Sequence, residues 1–263
     1  MGDFTASLDG NLSKHGKGKG FYDMSNIVEK RIIEEYGAVF LNPSMNVLLP
    51  DKCRFKSEDE VSAYQSAAKT KKEKIGGVMI ELQEAAMNAL LAAIKQGVKI
   101  TPKGGNPARR SFATVQKSWN GSVIDGANHW SGKTNSKGKT LTAKDAEALK
   151  KMSGDEQIKR VLELEAQGFS FHPDRTRSIA IYTAIPGASQ HLYMLALDLV
   201  EYTDQRVRSA LAANGWFQTV YSDRPHFTYL CLAQNTLSSS GLKMEKFEGR
   251  EFYIPEIRPM NAK

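Results

Sequence analysis

The most apolar stretch of this chain, Val78 to Ile94, is broken by Glu81, Gln83 and Glu84, well short of the ~18 nearly unbroken apolar residues of a membrane-spanning helix. Its hydrophobic side chains must therefore bury against one another in a globular fold. With 263 residues, 41% of them hydrophobic, the chain has material for one substantial core and a small second lobe, and the disordered and fibrous classes are excluded. Between Gly77 and Gly97 the apolar residues Val78, Ile80, Leu82, Ala86, Leu90 and Ile94 fit one helical face, and Gly97 suits its C-terminal stop. This segment reads as the main core helix.

Residues 1–25, rich at first in Gly, Lys and Ser, read as a flexible tail with His15 solvated. Residues 26–75 read as a helical N-terminal extension. In it, Ser57 to Glu60 forms a capping box that starts a polar helix reaching about Lys71, and Lys69 to Lys74 is a basic run on a solvated face. Residues 76–263 then read as the main domain, interrupted by an insertion around 120–177. Val98 to Thr101 is a short strand, Pro102 to Pro107 a loop and Ala108 to Trp119 a helix, while Asn120 to Lys139 reads as a long surface excursion. Helices start at Thr142 and Gly154. In the last third, Ser178 to Ala184, Ala196 to Tyr202, Trp216 to Ser222 and Phe227 to Leu232 are β-rich, the last two as hairpin partners, with a helix over Asp204 to Ala213. Helices packed on one antiparallel or mixed sheet make the expected class α+β.

Lys and Arg number 36 against 29 Asp and Glu, a formal charge of +7, which favours an anionic partner without naming it. The basic residues form no recognisable nucleic-acid module, so nucleic acid is not the expected partner. Cys53 and Cys231 lack a CxxC partner and read as free thiols. Gly132-Lys133-Thr134 lacks the glycine five positions earlier that a phosphate loop needs, and neither HExxH nor GxSxG occurs.

One constellation remains. His191 ends a Pro-Gly-Ser loop, Asp198 lies in the next β-rich run, and Asp223-Arg224-Pro225-His226 reads as a tight turn between two others. Two imidazoles and one carboxylate form a three-ligand metal set that leaves a position open for water. A second carboxylate, not bound to the metal, is then needed to move the water's proton. His191, Asp198 and His226 fit the ligands and Asp223 the acid/base. The same four residues also fit two core histidines, a turn cap and a surface charge.

Ser189-x-His191 with Asp198 further on and Ala196 two before it, followed by Asp223-x-Pro225-His226-Phe227, resembles the zinc D-alanyl-D-alanine carboxypeptidase family, the VanY-like group. Its phage-endolysin branch, which cuts an L-alanyl-D-glutamate bond, is similar in using Asp-x-Pro-His-Phe. The resemblance implies that His191, Asp198 and His226 bind Zn2+ and that Asp223 is the catalytic base. Ser189 falls in the matched motif and is the second candidate for substrate binding. Ala108 to Phe112 resembles the family's Arg-Ser-Tyr segment, whose arginine holds the substrate peptide, so Arg110 is expected in that role, with Arg109 or Arg177 as alternatives. A guanidinium offers paired donors to a carbonyl or carboxylate. Two departures stand out: Met194 replaces a usual Gly, with substrate choice the property in question, and Val115 replaces a usual Gln. His129 and His172 are expected to be structural or solvated.

The resemblance covers about residues 78 to 232. It implies a zinc metallopeptidase acting on an amide bond of peptidoglycan stem peptides, at a D-Ala-D-Ala terminus or an internal L/D junction. The expected partner is then a stem peptide or another D-Ala-containing peptide, with no transmembrane segment, and the expected location is the bacterial periplasm or exterior if a signal peptide was removed. The other readings are a non-catalytic, zinc-containing wall-binding or protein-binding module of the same fold, and a basic nucleic-acid binder.

Overall fold

The structure, a computed structural model, describes residues 2–257. Met1 of the expected tail and residues 258–263 of the expected main domain lie outside that range. The chain opens with a helix rather than a tail. In α1 (Phe4–Lys14), Asp3 accepts from the Ala6 N–H at 3.1 Å, and Phe4, Leu8 and Leu12, spaced four apart, are buried. His15 is tied down as well, its Nε2 lying 3.0 Å from the Asn42 carbonyl oxygen. Next come α2 (Ile27–Tyr36), a 3-10 turn over Gly37–Leu41 and α3 (Glu58–Ala67). Ser57 caps α3 as expected, accepting from Glu60 N at 3.2 Å.

The expected core helix starts late. Strands β1 (Thr70–Ile75) and β2 (Val78–Gln83) pair as an antiparallel hairpin, and only then does α4 (Glu84–Ile94) begin. The two residues between the strands, Gly76 and Gly77, have φ of 54° and 88°, the left-handed pair that a two-residue hairpin turn demands. The basic run is therefore an edge strand, with Lys72 opposite Glu81. The Val98 to Thr101 strand shrinks to a single bridge, Pro102 to Leu199. Helix α5 (Phe112–Trp130) starts four residues later than expected and continues to Trp130, because Val123 and Ala127 prolong the buried face of Val115 and Trp119. The surface excursion thus shrinks to residues around the short pair β3 (Lys133–Thr134) and β4 (Thr140–Leu141).

Helices α6 (Ala143–Lys151) and α7 (Gly154–Ala166) fall where expected. Ser178 to Ala184 is not a strand: it holds a 3-10 turn over Ile179–Ile181, fixed by Glu165, which accepts from Ser178 Oγ at 2.6 Å and Ile179 N at 2.7 Å. A further 3-10 turn, Gln190–Tyr193, leads into β5 (Ala196–Asp198), followed by α8 (Gln205–Ala212), β6 (Trp216–Phe217) and β7 (His226–Tyr229). The hairpin of β8 (Leu242–Phe247) and β9 (Arg250–Pro255) completes the described chain. All three strands β5 to β7 are shorter than their β-rich runs. They form an antiparallel sheet in the order β5-β7-β6.

The fold is α+β, with its sheets small and antiparallel. One hydrophobic cluster includes Phe4, Ile32, Phe40, Leu90, Trp119, Leu162, Leu197 and Trp216, so the N-terminal helices and the residues after 76 share a core. No described helix is long and apolar enough to cross a membrane.

Candidate metal centre

The β5–β7 register places Asp198 directly opposite His226, and the 3-10 turn before β5 brings in His191. Asp198 Oδ1 lies 3.4 Å from His191 Nε2 and 3.3 Å from His226 Nδ1, and the two ring nitrogens are 3.1 Å apart. Among the described residues this is the one group of three or more His, Cys, Asp or Glu that could hold a metal ion.

The outward-facing nitrogens fix the chemistry of the inward-facing ones. His191 Nδ1 is 2.8 Å from the Ala108 carbonyl oxygen, which can only accept, so that nitrogen carries the hydrogen. His226 Nε2 is 2.8 Å from Gln190 Oε1, and the orientation of that amide is set at its other end, where Nε2 donates to the Tyr36 carbonyl at 3.0 Å. Thr228 also donates to Gln190 Oε1. Burial keeps His191 neutral, lowering its pKa to about 4 against the pull of Asp198. Burial alone would raise the Asp198 carboxyl, but His191 and His226 outweigh it and hold the group well below the usual carboxylate range. In these tautomers the two inward-facing ring nitrogens and a carboxylate oxygen converge on one point. Such a set is repulsive by itself and favourable around a cation. Its spacing also fits: a tetrahedral ion with ligand bonds of about 2.0–2.1 Å separates its ligands by about 3.3 Å.

Arg110 reaches the cluster from behind. It donates to Asp198 Oδ2, leaving Oδ1 for the centre, and its Nε donates to the Asn106 carbonyl at 2.9 Å. The loop after Thr101 is laced to the same strand, with Lys103 N donating to the Asp198 carbonyl and Asp198 N to the Pro107 carbonyl, both at 2.8 Å.

His191, Asp198 and His226 line a cavity of about 570 Å³ together with Ser189, Arg110 and Asp223. Asp223 is half-buried, and its carboxyl makes no hydrogen bond or ion pair with any described residue. Burial raises its pKa to about 6, against the attraction of His226. Ser222 beside it holds a left-handed φ of 61°, an uncommon conformation for a non-glycine residue.

The other candidates lie apart from the cluster. Arg109 pairs with Glu81 at 2.8 Å and with Gln65, and Arg177 pairs with Asp174 at 2.6 Å. His172 is buried against Asp174 at 2.8 Å, and His129 meets the Trp130 ring edge-on. Met194 is fully buried and does not line the cavity. It occupies the left-handed region, φ 54°, where a glycine is the unstrained choice. Val115 does line the cavity wall. Both cysteines are free.

The motif-based reading missed Gln190 and Gln65. Gln65 clamps the Arg110 and Leu192 carbonyls at 2.9 and 3.1 Å. Comparison with family models, with curated proteins and with solved structures finds no match.

Proposed function

We propose that the protein is a zinc peptidase that hydrolyses an amide bond in peptidoglycan stem peptides. One observation carries the reading. A centre with three protein ligands faces a cavity that also holds a carboxyl, Asp223, without a hydrogen-bond partner among the described residues. A purely structural site needs no such extra group. Two imidazoles and one carboxylate at tetrahedral spacing favour zinc over calcium or magnesium, which prefer six or more oxygen ligands. Peptidoglycan as substrate is supported by the likeness of Ser189-x-His191 and Asp223-x-Pro225-His226-Phe227 to the zinc carboxypeptidases.

When bound, zinc would lower the pKa of water and polarise a carbonyl held beside it. The chain's own residues do the rest. Ala108 and Gln190 hold the two imidazoles in the tautomers that direct their lone pairs inward. Arg110 keeps one carboxylate oxygen of Asp198 occupied and the other available. Asp223 accepts a proton from water at its free carboxylate and returns it to the leaving amine. Ser189 and Arg110 line the cavity, where they can meet the peptide's polar groups.

Asp223→Ala tests this directly. Zinc content should stay at the wild-type level while stem-peptide hydrolysis falls by about a hundred-fold or more. Wild-type hydrolysis by the variant removes Asp223 from the mechanism. Zinc binding without turnover of any stem peptide by the wild-type chain supports a non-catalytic module instead.

A further inference from the structure

Two cavities meet at Arg110. The one holding the metal cluster runs along α5, where Thr114, Ser118 and Ser122 line it at intervals of four residues, a row about 12 Å long at ~1.5 Å per residue. A second cavity, about 450 Å³, shares Gly105, Asn106, Arg110 and Thr114 with the first. It continues past the start of α5 to Lys72, Met79 and Glu81 on the β1–β2 hairpin. The cavity that holds the metal cluster thus adjoins a second one at these four residues.

The second cavity is mixed in character. Lys72 Nζ stands 3.8 Å from Glu81, and Met79, which lines the same cavity, is 63% exposed. Glu58 lines the same cavity and accepts from Ala113 N at 2.9 Å through one carboxylate oxygen. Both charge signs and an apolar side chain therefore line this one cavity. A ligand that ended at the metal would use none of them.

We propose that the two adjoining cavities act as one groove that binds a peptide chain along its length, so that the enzyme cuts an internal bond of a chain bearing both carboxylate and amine groups rather than releasing a terminal residue. The proposal rests on the peptidase reading above. Its chemistry is amide hydrolysis: the water oxygen bonds to the carbonyl carbon, the C–N bond breaks, and the leaving nitrogen takes a proton, giving two peptide pieces.

The test compares a free pentapeptide stem with the cross-linked dimer of two such stems, using the zinc-loaded full chain. The expected kcat/KM is about ten-fold or more higher on the dimer, because remote contacts lower the barrier only when the substrate reaches them. The double variant Lys72→Glu, Met79→Asp should shrink that preference about five-fold, mainly through KM, with an unchanged melting temperature as the check on folding. Equal kcat/KM on both substrates, or a variant that slows both alike, overturns the proposal. Calorimetric binding to Asp223→Asn separates it from the peptidase reading. Tighter binding of the dimer supports the groove even if the wild-type chain cleaves neither substrate, a result that would count against the peptidase reading alone. Equal binding of dimer and pentapeptide overturns the groove.

Discussion

At the scale of single residues, the cluster depends on groups that touch no ion. Gln190 holds His226 by its Oε1 and is itself held by Tyr36. Gln190→Leu should weaken zinc binding by about 10–100-fold, measured by competition with a chelator, because the imidazole loses its tautomer control. Arg110→Ala should also weaken it, within the same ~10–100-fold range, by releasing Asp198 Oδ2. Met194 is a case where two effects compete. Glycine would relieve a left-handed strain of about 1–2 kcal/mol, but removing a fully buried Met side chain costs about 2–5 kcal/mol. Met194→Gly should therefore lower stability in urea unfolding despite the relieved backbone. The grouping of His191, Asp198 and His226 was legible because Ser189-x-His191, Asp198 and Asp223-x-Pro225-His226 follow a family-like pattern. Gln190 was not, because its partners are a backbone carbonyl and an imidazole that only the folded chain brings within reach.

At the scale of elements, capping and glycine chemistry decide where the expectations held. Helices α3, α6 and α7 were legible from Ser57, Thr142 and the Gly154 start, where local signals agree with the packing. The β1–β2 hairpin was not, because its apolar residues also satisfy a helical period and the deciding signal is the pair Gly76-Gly77. Helix α1 is hard to see in the sequence because Phe4, Leu8 and Leu12 are few, although their spacing marks a buried stripe. Helix α5 passes close to Phe171 at Gly126, where an added Cβ would lie 2.3 Å from the ring. Gly126→Ala should destabilise the fold by about 1–3 kcal/mol through overpacking, seen as a lower urea midpoint with an unchanged slope. Because α5 also lines the cavity, a loss of zinc affinity in that variant would show the helix shifting as a body.

At the scale of the whole molecule, one core joins regions that the sequence divides into tail, extension and main domain. Composition suggested the division, but burial is set by partners far apart in the chain. Arg54 shows how the pieces are tied: it is itself buried, its Nε donates to the Pro186 carbonyl at 2.7 Å, and its guanidinium pairs with Asp155 at 2.6 Å. Burial would raise the Asp155 carboxyl, but Arg54 and Lys56 outweigh it and lower its pKa. A carboxyl lowered by folding contributes fully above its unfolded value near about 4 and loses that contribution as pH falls through the folded value. Asp155→Asn should therefore flatten the fall in melting temperature below about pH 4. The formal charge of +7 suits an anionic partner. The central claim is that the lone pairs of His191, Asp198 and His226 surround a zinc ion. Its most direct test is metal analysis of the purified chain after incubation with zinc and removal of unbound ion. The account predicts one zinc per chain, lost in His226→Ala; a wild-type chain that retains no zinc would contradict it.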